Sequence, residues 1–298
     1  VRWAAATLVL LLVAVALAQT THAGQVATTR SWVRFESWWW ETDLFGHGRS
    51  VPRHLEPGLT RLSLLRPVRV ELEPGVNLWL DPGDLLSRTL LASRAGAWEV
   101  EVWNAIRDGL GDGAVFLDVG AHIGYDTLKA AHHLGPNGRV VAFEPNPRVV
   151  QMLRDSIAAS GATNVIVQPI ACSDTETTLT LFDSTGGNSG LTSLAEANAG
   201  QANHPVTVPA RRLDDVIREL GLSRVDVIKI DVEGAETLVV RGAQETLRRF
   251  KPRLVIEVID STLTAMGTSV QELESLIWSL GYTTSRQLDA YNREYRAR

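Results

Sequence analysis

The sequence predicts an α/β protein, a mostly parallel sheet with helices on both faces, preceded by a hydrophobic N-terminal segment. Three observations lead there. First, short apolar runs ("AVFLDV", "RVVAFE", "NVIVQPIA", "VDVIKID", "RLVIEVI") are interleaved with stretches of helical period that begin at Tyr125, Arg148, Ala235 and Val270. Runs that are apolar throughout suit strands covered on both faces. Second, the first run leads directly into Gly120-Ala121-His122-Ile123-Gly124, a glycine-bracketed turn between a strand and a helix. Third, acids stand at or near the ends of the runs, at Asp118, Glu144 and Asp231. In open α/β sheets ligands bind beyond the carboxyl ends of the strands, so these acids mark a functional edge.

The elements follow in order. Arg2 precedes an aliphatic run from Trp3 to Ala18, about the length of a signal-peptide core and shorter than the ~20 residues that span a bilayer. Ala16-Leu17-Ala18 and Thr21-His22-Ala23 resemble small-residue cleavage sites, so residues 1–24 read as a signal peptide or an uncleaved anchor. The bland alternative is an upstream start-site artefact. Residues 25–61 have no clear period and read as a linker or arm; its cluster "SWVRFESWWWETDLF" suits either a membrane interface or packing on the next domain. Residues 62–110 form an N-terminal cap segment. It opens with a hairpin, Val68–Glu73 and Val76–Asp81 around Pro74-Gly75, and continues with one or two helices between Asp84 and Leu110. Residues 111–298 hold the sheet domain.

At 298 residues, 45% hydrophobic and 21% charged, the chain has room for one large globular domain with appendages. A net charge of -5 provides no footprint for nucleic acid. The one cysteine, Cys172, excludes an internal disulfide and a cysteine-rich zinc site, and reads as a buried filler.

The glycine turn discriminates between cofactors. A dinucleotide fold wants G-x-G-x-x-G with a pyrophosphate on the helix N-terminus. Here His122 stands where the central glycine would be, and Asp118 sets a negative charge near any phosphate. Both disfavour NAD and favour a cofactor with a cationic amino-acid end, as S-adenosylmethionine has. Glu144, closing the second run, can accept both ribose hydroxyls of an adenosine; Pro145 and Pro147 then break the chain. In Ala171-Cys172-Ser173-Asp174, Asp174 can accept the adenine amino group or cap a turn.

Taken together, "FLDVGAHIGYDTL", "VVAFEPNP", "ACSD", "RRLDDV", "VDVIKIDVEGAE" and "RLVIEV" resemble, in order and spacing, the FkbM family of methyltransferases, from about Val68 to Glu257. The resemblance implies a Rossmann-like class I methyltransferase fold. It also implies S-adenosylmethionine as donor and O-methylation of a hydroxyl on a sugar, glycan, lipid or natural product. The expected cofactor-binding residues are Asp118, Gly120, Ala121, His122, Gly124, Glu144, Ser173, Asp174 and Asp231. The chain departs from the family pattern at His122, usually Asn, and at Asp126, usually aromatic; the stretch after Tyr282 is short for two further strands.

"IKIDVEGAE" places three carboxylates after a β-branched run, and buried carboxylates need a reason. Their spacing is not diagnostic of a metal, and none is assigned. Asp231 and Glu233 are the expected catalytic residues, as general base for a hydroxyl, with His122 as second choice; Glu236 reads equally as a helix N-terminal charge. Specificity is expected from the Asp84–Leu110 segment and the loop "DSTGGNSGLTSL". The expected partner is a small-molecule or glycan acceptor with a hydroxyl. Two other classes stay open, a nicotinamide-dependent oxidoreductase and a non-catalytic, membrane-tethered binding protein. Residues 3–18 predict membrane association; because the donor is cytoplasmic, Arg30, Arg34, Arg49 and Arg53 are expected to hold the following domain inside, with export as the alternative.

Overall fold

The computed structural model describes residues 21–31, 66–92, 98–185, 187–200 and 203–298. The hydrophobic run at 3–18 and most of the expected arm lie outside the described residues. No described helix is long and apolar enough to cross a membrane. Residues 22–31 form a helix that runs across the expected boundary between leader and arm.

The hairpin forms where the alternating pattern places it, with β1 (Val68–Glu73) paired to β2 (Val76–Leu80). The chain divides into two compact units, one of Val1–Leu72 with Trp79–Trp98 and a second of Glu73–Leu78 with Glu99–Arg298. The first holds the helix α1 (Leu85–Ala92). Everything below concerns the second.

Its seven-stranded sheet has the order β11-β12-β10-β9-β3-β4-β5. The strands are β3 (Val115–Val119), β4 (Arg139–Phe143), β5 (Val165–Gln168), β9 (Val227–Ile230), β10 (Arg253–Glu257), β11 (Tyr282–Gln287) and β12 (Asn292–Ala297). β3 pairs in parallel with both β4 and β9, so the strand order reverses at β3 and opens a crevice at its carboxyl end. β12 runs antiparallel to both β10 and β11 and completes the edge. The residues after Tyr282 therefore suffice for two strands, contrary to the sequence expectation. A tight turn makes this possible: one carboxylate oxygen of Asp289 accepts from the backbone N–H of both Tyr291 and Asn292.

Alternate residues of the strands enter two cores. Val115, Leu117, Val119, Ile228, Ile230, Leu254 and Ile256 face Val216, Val239, Leu247 and Ile277 on one side. Phe116, Val140, Val227 and Val255 face Val102, Ala105, Ile106 and Ala130 on the other. Each fully buried Ile, Leu or Phe contributes about 1.5–3 kcal/mol. The helix α2 (Val100–Arg107), in the segment from which specificity is expected, packs on this face of the sheet.

A separate three-stranded sheet, order β6-β8-β7, is made by β6 (Ala171–Cys172), β7 (Thr177–Ser184) and β8 (Asn203–Arg211). The loop "DSTGGNSGLTSL", from which the sequence leads one to expect specificity, begins at the end of β7.

Candidate active site

At the end of β3 the chain makes its glycine turn before α3 (Tyr125–Leu134). Gly120 has φ +88°, and a Cβ there would lie 1.8 Å from the carbonyl oxygen of Asp231. Gly124, at φ +93°, has Leu153 against it, with 2.6 Å between an added Cβ and Leu153 Cδ1. Four N–H groups of the turn are engaged within the protein. Those of Gly120 and Ala121 both donate to the Phe143 carbonyl at 3.0 Å, and that of Gly124 to Ala121 at 2.9 Å. The His122 N–H donates to Glu144 Oε2 at 2.9 Å. An anion nest needs such groups free, so these four are not available to a pyrophosphate. That weighs against a dinucleotide.

Glu144 is 6% exposed. It accepts from the N–H of His122 and, through Oε1, from that of Asn146 at 2.9 Å. Burial pushes its pKa up to about 7 against these hydrogen bonds. A carboxylate has about four acceptor positions, so Glu144 keeps capacity for a diol. Asp118 is 1% exposed; Oδ2 accepts from Thr127 Oγ1 at 2.5 Å, and Oδ1 is buried with no hydrogen-bond partner among the described residues. Burial raises its pKa to about 6, opposed by Lys229. A buried acceptor without a donor at Asp118 and a two-armed carboxylate at Glu144 fit a nucleoside with a cationic substituent.

Beside β3, the end of β9 holds Asp231, whose N–H donates to the Val119 carbonyl at 2.9 Å. Its Oδ2 accepts from Lys229 Nζ at 2.9 Å, and the same ammonium lies 3.6 Å from Asp126 Oδ2. Burial alone would lower the pKa of Lys229, but Asp231 and Asp126 reverse this and hold it well above the ordinary value. Glu233, in the left-handed region at φ +52°, and Glu257, at the end of β10, bring carboxylate oxygens within 4.8 Å of those of Asp231. Burial pushes Glu233 up to about 8 and Glu257 up to about 10, and the neighbouring carboxylates add to both shifts. The trio has the donor set for a divalent cation, and it can equally relieve its repulsion by binding protons.

Sequence reasoning gave Lys229 and Glu257 no role, marked Asp126 only as a departure from the family pattern and Glu99 only as half of the pair Trp98-Glu99. A lysine within the apolar run "VDVIKID" was a readable signal, since a buried ammonium requires a partner. Glu257 was visible as an acid closing its own strand. Glu99, at φ +44°, has its pKa raised to about 8, chiefly by burial and also by Asp231 and Asp126.

Gly120, Ala121, His122, Gly124, Glu144, Asp118, Asp231 and Glu233 therefore gather around the ends of β3, β4 and β9. Ser173 and Asp174 make their contacts elsewhere. The Ser173 N–H donates to the Arg211 carbonyl at 2.9 Å, its carbonyl abuts Gly242, and its hydroxyl lies 3.4 Å from Asp174 Oδ1. Glu236 is 1% exposed, and its Oε1 accepts from the N–H groups of Val232 and Gly234, the geometry of a structural cap. The loop after β7 reaches both ends of the site. Ser189 Oγ meets His122 Nε2 at 2.7 Å, while Ser193 Oγ and Asn198 Nδ2 donate to the Glu233 carbonyl at 2.7 and 3.0 Å.

A family model described as the methyltransferase FkbM domain matches residues 118–284. The AMB antimetabolite synthetase AmbE of Pseudomonas aeruginosa is 32% identical over 219 residues, 62% of this chain and 10% of that protein. The 2-O-methyltransferase NoeI of Sinorhizobium fredii is 31% identical over 147 residues, 45% of this chain and 59% of that protein. The 31-O-demethyl-FK506 methyltransferase FkbM of Streptomyces tacrolimicus is 28% identical over 202 residues, 59% of this chain and 75% of that protein. The chain thus spans a tenth of the synthetase and 59% of the 2-O-methyltransferase. Among solved structures, the methyltransferase FkbM from Methylobacillus flagellatus aligns at 18% identity over 70% of this chain and 54% of that chain, with a TM-score of 0.47.

Proposed function

Since this chain belongs to the FkbM methyltransferase family, we propose that it uses S-adenosylmethionine to methylate a hydroxyl oxygen of a sugar, glycan, lipid or natural product. Two of the relatives are named as acting on oxygen, one at a 2-O and one at a 31-O position, which supports oxygen as the acceptor atom. One observation carries the reading: Gly120 packs directly against the backbone of Asp231, so the glycine turn and the acid-rich loop are adjacent at the carboxyl ends of β3 and β9.

In this reading Glu144 holds the ribose hydroxyls, and Asp118 faces the cationic amino-acid end. When bound, the donor supplies an electrophilic methyl group on a sulfonium centre. Asp118, whose Oδ1 is buried without a hydrogen-bond partner among the described residues, favours a cationic ligand there. An alcohol becomes a competent nucleophile as its proton is removed, and a positioned base contributes about 10²–10⁴-fold. Glu233, pushed up to about 8, accepts a proton readily once ionised, so its contribution as base grows as pH rises toward 8. Lys229 fixes the orientation of Asp231 beside it. Holding the hydroxyl in line contributes several kcal/mol more.

The test is equilibrium binding of S-adenosylmethionine against NAD, followed by transfer of a labelled methyl group to a panel of hydroxylated glycans and lipids. Binding of NAD in preference to S-adenosylmethionine would overturn the reading.

A further inference from the structure

The small sheet outside the main fold contributes a buried acid that nothing in the methyl-transfer reading uses. Asp183, near the end of β7, is 2% exposed. Its Oδ1 accepts from Asn146 Nδ2 at 2.7 Å and from Arg148 Nη2 at 3.0 Å; its Oδ2 accepts from Arg148 Nε at 3.4 Å. Thr192 Oγ1 lies 3.4 Å from Oδ1, and His204 Nε2 3.7 Å from Oδ2. Asn146 is itself 1% exposed, and its side chain caps the helix α4 (Pro147–Ser160) by accepting from the Arg148 N–H at 3.0 Å. The backbone N–H of the same residue donates to Glu144 Oε1. One continuous chain of hydrogen bonds therefore runs from Asp183 through Asn146 to Glu144, and from Glu144 Oε2 to His122.

We propose that Asp183 is a positioning residue for donor binding, which sets the Glu144 carboxylate through Asn146. The inserted sheet then has a function: it anchors the segment Glu144–Arg148 from outside the main sheet. The physical reason is that Pro145 and Pro147 flank Asn146 and contribute no N–H groups, so the peptide there has few local bonds to hold it. Fastening Asn146 by its side chain to a buried carboxylate replaces them. Charge-assisted hydrogen bonds of this kind are the stronger ones, and Arg148 supplies the compensating charge.

The proposal rests on the donor reading, and the test separates the two. S-adenosylhomocysteine is titrated calorimetrically into the full chain and into Asp183→Ala, Asp183→Asn, Glu144→Ala and the double variant Glu144→Ala/Asp183→Ala, with thermal melting of each in parallel. We expect Glu144→Ala to weaken binding by about tenfold or more and each Asp183 variant by about tenfold, the scale of one well-placed charge-assisted bond. The double variant should bind no more weakly than Glu144→Ala alone, because Asp183 acts through Glu144. Asp183→Asn carries the sharpest discrimination. Its charge opposes that of Glu144, so a purely electrostatic role would give equal or tighter binding on neutralisation, whereas positioning gives weaker binding. Equal or tighter binding by Asp183→Asn, or fully additive losses in the double variant, would overturn the proposal. So would a loss of binding that only tracks a fall in melting temperature. Failure of the unaltered chain to bind S-adenosylhomocysteine would overturn the donor reading itself.

Discussion

The carbonyl oxygen of Asp231 occupies the place where a side chain on Gly120 would begin, 1.8 Å from the Cβ position. The two residues lie far apart in sequence and meet because β3 and β9 pair in register, Val119 opposite Ile230. Gly120→Ala should therefore do more than strain a residue at φ +88°; it must push the ends of two central strands apart. We expect a loss of about 3 kcal/mol or more in stability, together with loss of donor binding. Thermal melting checks the first and calorimetry the second. An alanine variant that melts and binds like the parent would contradict the placement.

Asp231 and Glu233 should separate binding from chemistry. Asp231→Asn and Glu233→Gln are expected to keep donor affinity within a few-fold and to lose about 10²–10⁴-fold in turnover. Single-turnover rates with labelled donor, alongside calorimetric affinity, make the comparison. Loss of donor affinity with unchanged turnover of bound complex would assign these acids to binding instead.

Stability should depend on pH with a definite sign. Glu144 and Glu236 are pushed up to about 7, Glu233 to about 8 and Glu257 to about 10, all from 4.5, mainly by burial. The folded protein thus holds protons that the unfolded chain releases. Their stabilisation is complete below about 4.5 and is lost as pH rises through 7 to 10. Melting temperature should accordingly fall between pH 6 and pH 9. Glu257→Gln should flatten that slope and raise the melting temperature at pH 9 by a few degrees. A flat or rising profile in the parent would show that these carboxyls ionise without penalty.

The same protons bear on metal dependence. With Glu257 and Glu233 holding protons at neutral pH, the trio with Asp231 sheds its repulsion without a cation. Methyl transfer and donor binding should survive EDTA, and added Mg²⁺ should give no heat in a titration near pH 7. Activity lost to a chelator and restored by Mg²⁺ would mean that the carboxylates serve as ligands.

The sequence by itself determined the parts whose causes are local. Unbroken apolar runs such as "AVFLDV" announce strands buried on both faces, and β3 is buried at every position. Two glycines at a strand-to-helix junction announce a turn, and both take positive φ. Acids that close strands lie at the carboxyl edge by chain direction alone, which is why Glu144 and Asp231 were legible.

Only the tertiary structure decided which side chains meet, because partners across a sheet depend on strand order and register, and these are set by long crossovers. Lys229 was a visible anomaly, but its choice of Asp231 and Asp126 follows from β9 lying next to β3, whose turn leads to Asp126. Glu257 joins Asp231 and Glu233 because β10 lies next to β9, with Ile256 opposite Ile230. Asp174, read as an adenine acceptor or a turn cap, follows β6 of the separate sheet, where the Ser173 carbonyl abuts Gly242. Asp183 was legible only as the first residue of the loop "DSTGGNSGLTSL", with nothing to indicate its partner. Its importance arises when β7 and β8 fold as an independent sheet and deliver a buried carboxylate to Asn146, a contact between residues 37 apart that no local pattern encodes.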